Sequence, residues 1–282
     1  MSTVTRFAPS PTGNLHLGHA YSALFAFDAA RDTGGAFKLR IEDIDQTRCR
    51  PEFEQQIEHD LTWLGLVWET PVRRQSEHFD DYRKALHTLA EQGLCYPCFC
   101  TRKEIEAEID AAGGAPHGPD GALYPGTCLH LDTAERQGRI AAGEPHAVRL
   151  DMQEACHRSG PLSWLDRGLG KRQARPEQFG DVVLARKDTP TSYHLAVTVD
   201  DHLQGITLVT RAIDLAEATD VHRLLQHLLG LDQPEYHHHA LLHGADGKRF
   251  AKRDKSKTLE SLRSEGATPD DIRQMIAGFT NV

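Results

Sequence analysis

Two short runs of residues in this chain have the types and spacing that bind a nucleotide triphosphate. The first is the stiff run Ala8-Pro9-Ser10-Pro11-Thr12-Gly13, which leads into His16-Leu17-Gly18-His19. A helix start carries unpaired N–H groups and partial positive charge, which attract phosphate. Histidines three positions apart lie on one face of the helix. Both rings can therefore donate to phosphate and stabilise the negative charge that develops during the reaction. The glycine between them lets a flat adenine ring approach the backbone. The residues expected to bind ATP here are Pro11, Thr12, Gly13, His16, Gly18 and His19.

The second run is cationic and lies near the end of the chain. Six lysines and arginines fall between Lys248 and Lys257, and they suit a loop that neutralises phosphate. A solvated surface loop is the alternative for such a charge run, and two surface histidines are the alternative for the first run. Taken together, the two runs predict an ATP site that is formed from both halves of one folded domain.

Composition limits the class of protein. Hydrophobic residues make up 39% of the 282 residues and charged residues 26%, as in water-soluble globular proteins. No apolar run approaches the ~20 residues of a membrane helix, and the N-terminus lacks a signal peptide, so we expect a cytoplasmic protein with no membrane partner. The net charge of −9 argues against indiscriminate binding to nucleic acid but permits a specific RNA partner at a local basic strip.

The elements around the first run predict a doubly wound, parallel-sheet α/β domain. A β-prone segment at 3–8 precedes the proline-rich loop, and apolar residues at helical spacing predict a helix over 16–32 that ends at Gly34. Alternation over 37–41 predicts the next strand. This β-loop-α-β opening places the loop and the helix start in the crevice where open α/β sheets bind ligands.

Weaker signals divide the rest of the chain. Cysteines and an aperiodic glycine-rich loop between residues 95 and 145 indicate an insertion between two halves of the main domain. The expected units are 1–94 as the first catalytic half, 95–180 as the insertion, 181–240 as the second half and 241–282 as the cationic loop with short C-terminal helices. Further helices are expected over 52–66, 76–92 with Ser76 as N-cap, 220–230, 258–264 and 269–276. Further strands are expected over 148–152, 182–185, 193–199 and 205–209.

Four segments follow one another in an order that extends this pattern. They are residues 6–13 with His16-Leu17-Gly18-His19, then Arg40-Ile41-Glu42-Asp43-Ile44-Asp45, then residues 193–202, then Asp246-Gly247-Lys248-Arg249-Phe250-Ala251-Lys252-Arg253. In that order they resemble the first signature, the RIEDTD segment, the YHLANVVDDH segment and the KMSKS-type loop of the class I glutamyl-tRNA synthetases. The resemblance spans essentially the whole chain and implies a Rossmann-type catalytic domain with a zinc-bearing insertion.

The resemblance also implies roles for individual residues. Lys252 matches the second lysine of the KMSKS-type loop and would act in catalysis with His16 and His19, by neutralising the departing pyrophosphate. Arg249 stands in place of the first lysine and would also contact ATP. The residues implied in binding L-glutamate are Arg6, Ala8, Ser10, Glu42, Tyr193 and Arg211. Two arginines and one carboxylate complement the two carboxylates and one ammonium of glutamate, but which arginine takes which carboxylate stays open.

A group of cysteines can hold one structural Zn²⁺, for which three thiolates are a common base. The cysteines are Cys98, Cys100 and Cys128. From ligand chemistry the fourth ligand is His117 or His130, whereas the resemblance implies Tyr124. Free cytosolic thiols are the alternative for the whole group.

The remaining cysteines and one histidine run are not expected to bind metal. The cysteines expected to be structural are Cys49, Cys95 and Cys156. The run His237-His238-His239 is expected to be a solvated loop, because consecutive residues do not converge on one ion. These residues therefore receive no role in the predicted chemistry.

The implied reaction has two steps. Glutamate reacts with ATP, accompanied by Mg²⁺, to give glutamyl-adenylate and pyrophosphate, and a tRNA hydroxyl then attacks the mixed anhydride. Little chain follows Lys252, so we expect no separate anticodon-binding domain. With so short a C-terminal region, the chain resembles shorter members of the family, which transfer glutamate to queuosine in the anticodon of tRNA(Asp). We also expect the protein to be a monomer. The alternatives are a minimal glutamyl-tRNA synthetase that charges a tRNA 3′ end and an inactive paralogue that binds RNA or protein.

Overall fold

The first half of the chain alternates strands and helices, as the opening pattern predicts. The computed structural model describes residues 2–111, 116–242 and 257–280. The elements of this half are β1 Val4–Phe7, α1 Leu17–Arg31, β2 Ala36–Ile41, α2 Pro51–Trp63, β3 Glu69–Arg74 and α3 Phe79–Glu91. The strands pair in parallel in the order β1-β2-β3, and α1 and α2 provide the crossovers that parallel pairs require.

A middle region separates the two halves. Its elements are β4 Cys95–Cys98, α4 Arg102–Ala111, β5 His117–Gly118, β6 Gly121–Ala122, α5 Thr133–Ala141, β7 Ala147–Leu150, α6 Met152–Ser159, β8 Ser163–Asp166, β9 Gly170–Gln173 and β10 Val183–Ala185. β7 pairs antiparallel with both β4 and β10, and β5 and β6 form a two-stranded hairpin. β8 and β9 form another hairpin, but it belongs to the sheet of the second half.

The second half supplies a further sheet that is parallel except at one edge. Its elements are α7 Tyr193–Leu203, β11 Leu208–Ala212, α8 Ala218–Leu229, β12 Glu235–His239, α9 Leu259–Ser264 and α10 Pro269–Thr280. The strand order is β11-β12-β8-β9, in which β9 is the antiparallel edge strand. Gly230 ends α8 in the left-handed conformation, with φ of 65°, which glycine adopts without a Cβ penalty.

The two sheets meet side by side at β1 and β11. The Thr207 N–H donates to the Val4 carbonyl at 3.0 Å, and the Arg6 guanidinium donates to the Thr210 carbonyl at 2.9 Å. Both contacts advance in the same direction along the chain, so β1 and β11 run parallel. The loops that leave their carboxyl ends therefore share one edge of the fold, where open α/β sheets bind ligands.

Two large hydrophobic clusters cross the boundary between the halves. In one, Leu39 and Ile41 of β2 pack with Ile57 and Leu61 of α2, and residues of α9 and α10 join the same cluster. In the other, α3, α7 and α8 share a cluster around the buried Leu195. Burying one such side chain contributes about 1.5–3 kcal/mol, so these cores hold in place the strands and helices that carry the site.

The segment 193–199, predicted as a strand, is instead the start of α7. Leu195, Ala196 and Val199 recur at helical spacing and lie in the hydrophobic cluster shared with α3 and α8. The β preference of Val197 and its neighbours is therefore outweighed by tertiary packing, which decides the state of short apolar segments. The helix matters for function because two acidic residues follow on the same element.

Two other local predictions are also wrong. The predicted loop at His237-His238-His239 is the end of β12, which lies between β11 and β8, so that His238 and His239 are buried. Ser76 does not cap α3, because its hydroxyl and N–H both donate to the Asp43 carboxylate, at 2.5 and 2.8 Å. The other predicted helices and strands overlap observed elements. In the parts of the chain that the structure describes, no helix is long and apolar enough to cross a bilayer.

Candidate functional site

Two histidines cap the start of α1. His16 is the N-cap residue, and its Nδ1 accepts the Gly18 N–H at 3.1 Å. The His16 N–H in turn donates to His19 Nδ1 at 3.2 Å, and the two rings lie 3.8 Å apart between centroids. Because Nδ1 is an acceptor in both rings, each ring carries its proton on Nε2. That tautomer is the one that donates to a phosphate oxygen.

The chain that follows the cationic run returns to this helix start. Thr258 forms a β-bridge with His16, and the Leu259 N–H donates to the Leu15 carbonyl at 2.8 Å. The residues predicted to contact ATP from the cationic run, Arg249 and Lys252, lie outside the described residues. Residues from the two ends of the chain thus meet at the turn that carries the paired histidines.

A network of buried charges lies under the junction of the two sheets. Arg40, which is fully buried, donates to Asp201 at 2.7 Å and to Glu42 at 3.1 Å. Arg6 donates to the same Asp201 oxygen at 3.1 Å. Burial raises the pKa of Glu42, although the charges of Arg40 and Arg6 oppose the rise. Burial also disfavours the Asp201 carboxylate, but Arg6 and Arg40 lower its pKa below the usual value.

Asp200, the neighbour of Asp201 on α7, is held from the other side. Its carboxylate accepts from Arg73 at 2.7 Å, from Gln75 at 2.8 Å and from the Tyr82 hydroxyl at 3.0 Å. The Asp200 side chain is fully buried, so these bonds replace the water that it loses. The two adjacent carboxylates fix α7 to β1, β2 and β3 together.

Arg211, near the end of β11, has a different environment. Its Nε–H donates to His238 at 3.1 Å. One terminal nitrogen donates to His222 at 3.2 Å and to the Tyr193 hydroxyl at 3.4 Å. The other terminal nitrogen donates to the Thr219 hydroxyl at 2.5 Å. Arg211 is 7% exposed, and no carboxylate oxygen of the described residues lies within 4 Å of it. Every hydrogen-bonding partner among the described residues is neutral, so this part of the chain supplies no direct counter-ion to the charge of Arg211.

The tautomers around this arginine follow from its chemistry. A guanidinium only donates, so the His238 Nε2 accepts and the His238 Nδ1–H must donate to Asp166, at 2.6 Å. In the same way the His222 Nδ1 accepts, and its Nε2–H donates to His194 Nδ1 at 3.1 Å. The His194 Nε2 lies 3.5 Å from Asp120 of the middle region. Two chains of contacts therefore begin at the Arg211 guanidinium. One passes through His238 to the Asp166 carboxylate, and the other passes through His222 and His194 to the Asp120 carboxylate.

The neutral state of these histidines gives a pH dependence. Burial and the nearby Arg211 lower the pKa of His238 to about 4 and the pKa of His222 well below 6.5. When the pKa of a histidine is lower in the folded than in the unfolded state, its contribution to stability is complete above the unfolded-state pKa. This contribution is lost as the pH falls toward the folded-state pKa. We expect the free energy of unfolding, measured with urea, to fall between pH 6.5 and 5 by up to about 1.4 kcal/mol per pH unit for each such histidine.

The His238→Gln variant tests this origin, because its amide oxygen can still accept from Arg211 but does not titrate. Its unfolding free energy should fall less steeply with pH than that of the wild type. The matched control is His87→Gln at an exposed position of α3, which should keep the wild-type slope. Equal slopes in the wild type and the His238→Gln variant would contradict the assignment.

Four of the predicted glutamate-binding residues lie near one another and define a candidate pocket for the amino acid. The Tyr193 hydroxyl is 3.4 Å from Arg211, and Arg6 and Glu42 both contact the Arg40–Asp201 pair. Desolvation raises the pKa of Tyr193, and the charges of Arg211, Glu42 and Arg6 also act on it. Of the other two predicted residues, Ala8 is half-buried and Ser10 exposed, both in the loop after β1. That loop is tied to the pocket, because the Glu42 N–H donates to the carbonyl between them at 3.0 Å.

Several residues of this site were not singled out by sequence. Arg40, Asp200 and Asp201 stand inside the quoted motifs, and the one available signal was a pair of acids in an otherwise apolar segment. Buried acids need partners, so such a pair could have indicated contacts with cations elsewhere in the fold, although the sequence does not name them. His222 carries no such signal, and His238 was assigned to a loop. Their roles become visible only once the fold places them beside Arg211.

The predicted cysteine group is assembled in the middle region. The sulfur atoms of Cys98, Cys100 and Cys128 all lie within 4.8 Å of one another, and the Cys128 sulfur is 3.4 Å from that of Cys100. The Tyr124 hydroxyl lies 3.5 Å from the Cys100 sulfur. Burial opposes ionisation of Cys128, but hydrogen bonds from Tyr124 and the Phe99 N–H lower its pKa. Three sulfurs at this spacing, one of them with a lowered pKa, are compatible with zinc.

The fourth ligand stays a prediction. Within the described residues, neither His117 nor His130 joins the three sulfurs in a metal-binding group, whereas Tyr124 lies beside them. We expect about one zinc ion per chain by atomic emission, and less than about a tenth of that in Cys128→Ser, which leaves only two thiolates. Cys156→Ser, outside the group, is the control and should keep its zinc. Equal zinc contents in both variants would show that the metal is not held here.

The fold and the site first define a class. The protein has a parallel α/β domain in two halves, with an insertion between the halves. Strands of the two halves meet beside a helix start that is capped by histidine. This arrangement is the catalytic fold of class I aminoacyl-tRNA synthetases. Residues 2–280 match the family model for tRNA synthetases class I (E and Q), catalytic domain. The chain therefore belongs to the class I family of glutamyl- and glutaminyl-type tRNA synthetases, and it is a ligase of that class.

Individual relatives agree with this membership. The chain is 50% identical over 281 residues to a Rhodobacter capsulatus protein named glutamyl-Q tRNA(Asp) synthetase, covering 97% of this chain and 99% of that one. It is 38% identical over 270 residues to the glutamate–tRNA ligase of Aquifex aeolicus, covering 95% of this chain and 55% of that one. The crystal structure of a glutamate tRNA ligase from Elizabethkingia meningosepticum, in complex with its amino acid, superposes with a TM-score of 0.84 at 29% identity. The chain spans 60% of the length of that structure, and the alignment covers 98% of this chain.

Proposed function

We propose that the protein activates L-glutamate with ATP and transfers it to queuosine in the anticodon of tRNA(Asp). The observation that carries the activation step is the environment of Arg211, a buried guanidinium whose partners among the described residues are all neutral. A cation without a direct counter-ion in this part of the chain favours an amino acid with an additional carboxylate. Glu42 in the same pocket complements the α-ammonium, and Arg6, which shares its charge with Asp201, offers a second cation.

The choice of acceptor is supported by the relatives. The Rhodobacter capsulatus protein is matched over nearly the whole of both chains, and its name specifies glutamyl-Q tRNA(Asp). The Aquifex aeolicus ligase, at lower identity, is matched over about half its length. Transfer to queuosine is therefore favoured over charging of a tRNA 3′ end.

The proposed chemistry uses positioning and charge rather than a side-chain nucleophile. The glutamate α-carboxylate attacks the α-phosphorus of ATP, the bond to pyrophosphate breaks, and glutamyl-adenylate forms. The Nε2–H groups of His16 and His19 donate to the phosphates, with Mg²⁺ bound to ATP, and Lys252 neutralises the departing pyrophosphate. A hydroxyl of the queuosine cyclopentenediol then attacks the glutamyl carbonyl carbon and releases AMP and a proton.

Zinc has a structural place in this proposal. Cys98, Cys100, Cys128 and Tyr124 would hold the ion and fix the fold of the middle region, far in sequence from the residues that bind glutamate. The monomeric state and the cytoplasmic location stay predictions from the sequence.

The test is transfer of radiolabelled glutamate with ATP and Mg²⁺ to three RNAs. These are tRNA(Asp) with queuosine, the same tRNA with unmodified guanosine, and a tRNA for glutamate. Labelling only of the queuosine-containing tRNA, retained after its terminal adenosine is removed, supports the proposal. Labelling of the glutamate tRNA at its 3′ end supports the minimal glutamyl-tRNA synthetase instead. A folded protein that forms no glutamyl-adenylate would be the inactive paralogue.

A further inference from the structure

The β8–β9 hairpin, residues 163–173, is an exposed edge of the second sheet. β9 pairs with β8 on one side, and all four of its residues are exposed. An edge strand presents its backbone and both of its faces to the surroundings. A surface with this exposure can contact a large partner without any rearrangement of the fold.

This hairpin carries a concentration of positive charge. Lys171 and Arg172 on β9, and Arg175 just after it, are exposed, and none of them lies within 4 Å of a carboxylate oxygen of the described residues, although the charge of Arg172 acts on Asp220. Arg167, at the turn, pairs with Glu235 at 2.8 Å. The chain as a whole has a net charge of −9, so this is a local reversal of sign. A local positive surface on an acidic protein selects a polyanionic partner by position.

Exposed apolar side chains lie on the face of Lys171 and in the turn, whereas Arg172, the next residue of β9, lies on the opposite face. Leu165 is 44% exposed and stands directly opposite Lys171 in the register, so the two side chains share one face. Leu169 in the turn is 43% exposed. Cations that contact phosphate, beside apolar side chains that contact ribose and base, match the chemistry of RNA better than that of an acidic protein surface.

The turn of the hairpin is held by hydrogen bonds to Asp166 and connects to the amino-acid pocket. One Asp166 oxygen accepts from the N–H groups of Gly168 and Leu169, both at 2.8 Å. The other Asp166 oxygen binds the ring of His238, which contacts Arg211. The turn is therefore linked to Arg211 of the proposed glutamate site through the side chains of Asp166 and His238.

We propose that the β8–β9 hairpin binds the phosphate backbone of the tRNA that receives glutamate. The proposal rests on the proposed function for the identity of the RNA. Phosphate contacts by lysine and arginine fix orientation and are salt-dependent, because each contact releases counter-ions from the RNA. The hairpin would thus set the approach of the reacting nucleotide and leave sequence recognition to other residues.

The test uses the full-length double variant Lys171→Glu with Arg172→Glu. Its matched control is Arg83→Glu with Lys84→Glu, an exposed basic pair on α3. Affinity for queuosine-containing tRNA(Asp) is measured by filter binding over a range of NaCl concentrations. We expect the hairpin variant to raise Kd at least about tenfold and to reduce the slope of log K against log salt by about 2, with little change in the control.

Three outcomes decide the matter. An unchanged Kd in the hairpin variant, with an intact unfolding transition, overturns the proposal. Equal losses in the hairpin and control variants also overturn it, because only total charge would then matter. A wild-type protein that transfers no glutamate to any tRNA removes the proposed function, whereas an active wild type with unaltered hairpin variants removes this inference alone.

Discussion

Replacing Arg211 with glutamine is expected to lower kcat/KM for glutamate about 1,000-fold in pyrophosphate exchange with tRNA(Asp) present. The variant removes a buried cation that has no counter-ion in the described protein, so a bound carboxylate would lose its charged partner. Truncating one side of a buried charge pair costs about 4 kcal/mol, which corresponds to that factor. The KM for ATP should change little, because the nucleotide contacts are expected at the histidine-capped helix start.

Two further variants make this result specific. Arg211→Lys keeps the charge but cannot bond to His238, His222 and Thr219 at the same time, so we expect an intermediate loss. Arg223→Gln removes a half-buried arginine that donates to a backbone carbonyl on the same half and should leave glutamate activation unchanged. A folded Arg211→Gln enzyme within about tenfold of wild-type kcat/KM would show that this arginine does not bind the substrate.

Replacing Asp200 with alanine is expected to lower the free energy of unfolding by about 3–5 kcal/mol. The carboxylate is fully buried and is shared by Arg73, Gln75 and the Tyr82 hydroxyl, with the Arg40 guanidinium 3.7 Å away. Its loss leaves buried cations and donors without the anion that balances them, which costs more than the pair itself contributes. Urea unfolding at pH 7 gives the value directly.

The matched control is Asp80→Ala on the surface of α3. Asp80 also pairs with an arginine, Arg83, but its side chain is 83% exposed. Exposed ion pairs contribute at most about 1 kcal/mol, so this variant should remain close to the wild type. Similar losses in the Asp200 and Asp80 variants would mean that burial of the network does not govern its contribution.

Prediction from sequence succeeded where a segment's neighbours along the chain decide its structure. The β-loop-α-β opening is such a segment, because prolines, a glycine stop and apolar spacing define it without help from distant residues. Two of the failures have a common cause. The segment 193–199 and the run ending in His239 are short, and their state depends on the strands and helices packed against them.

The site shows the same division. The motifs contained Arg6 and Glu42, the resemblance added Arg211, and complementary charge already matched these residues to an amino acid with two carboxylates. The sequence could not show that these arginines differ. Arg6 shares a carboxylate with Arg40, whereas Arg211 has only neutral partners among the residues described.

The sequence by itself determined the family, the order of the binding segments and the types of side chain available for the chemistry. Tertiary structure decided which of these side chains are neutralised and which keep their charge. Arg40 and Asp201 are 161 positions apart, and Arg73 and Asp200 are 127 apart, so no local pattern can pair them. Burial then strengthens the effect of each pairing, because the energy of a charge that is removed from water depends mainly on the few groups in contact with it.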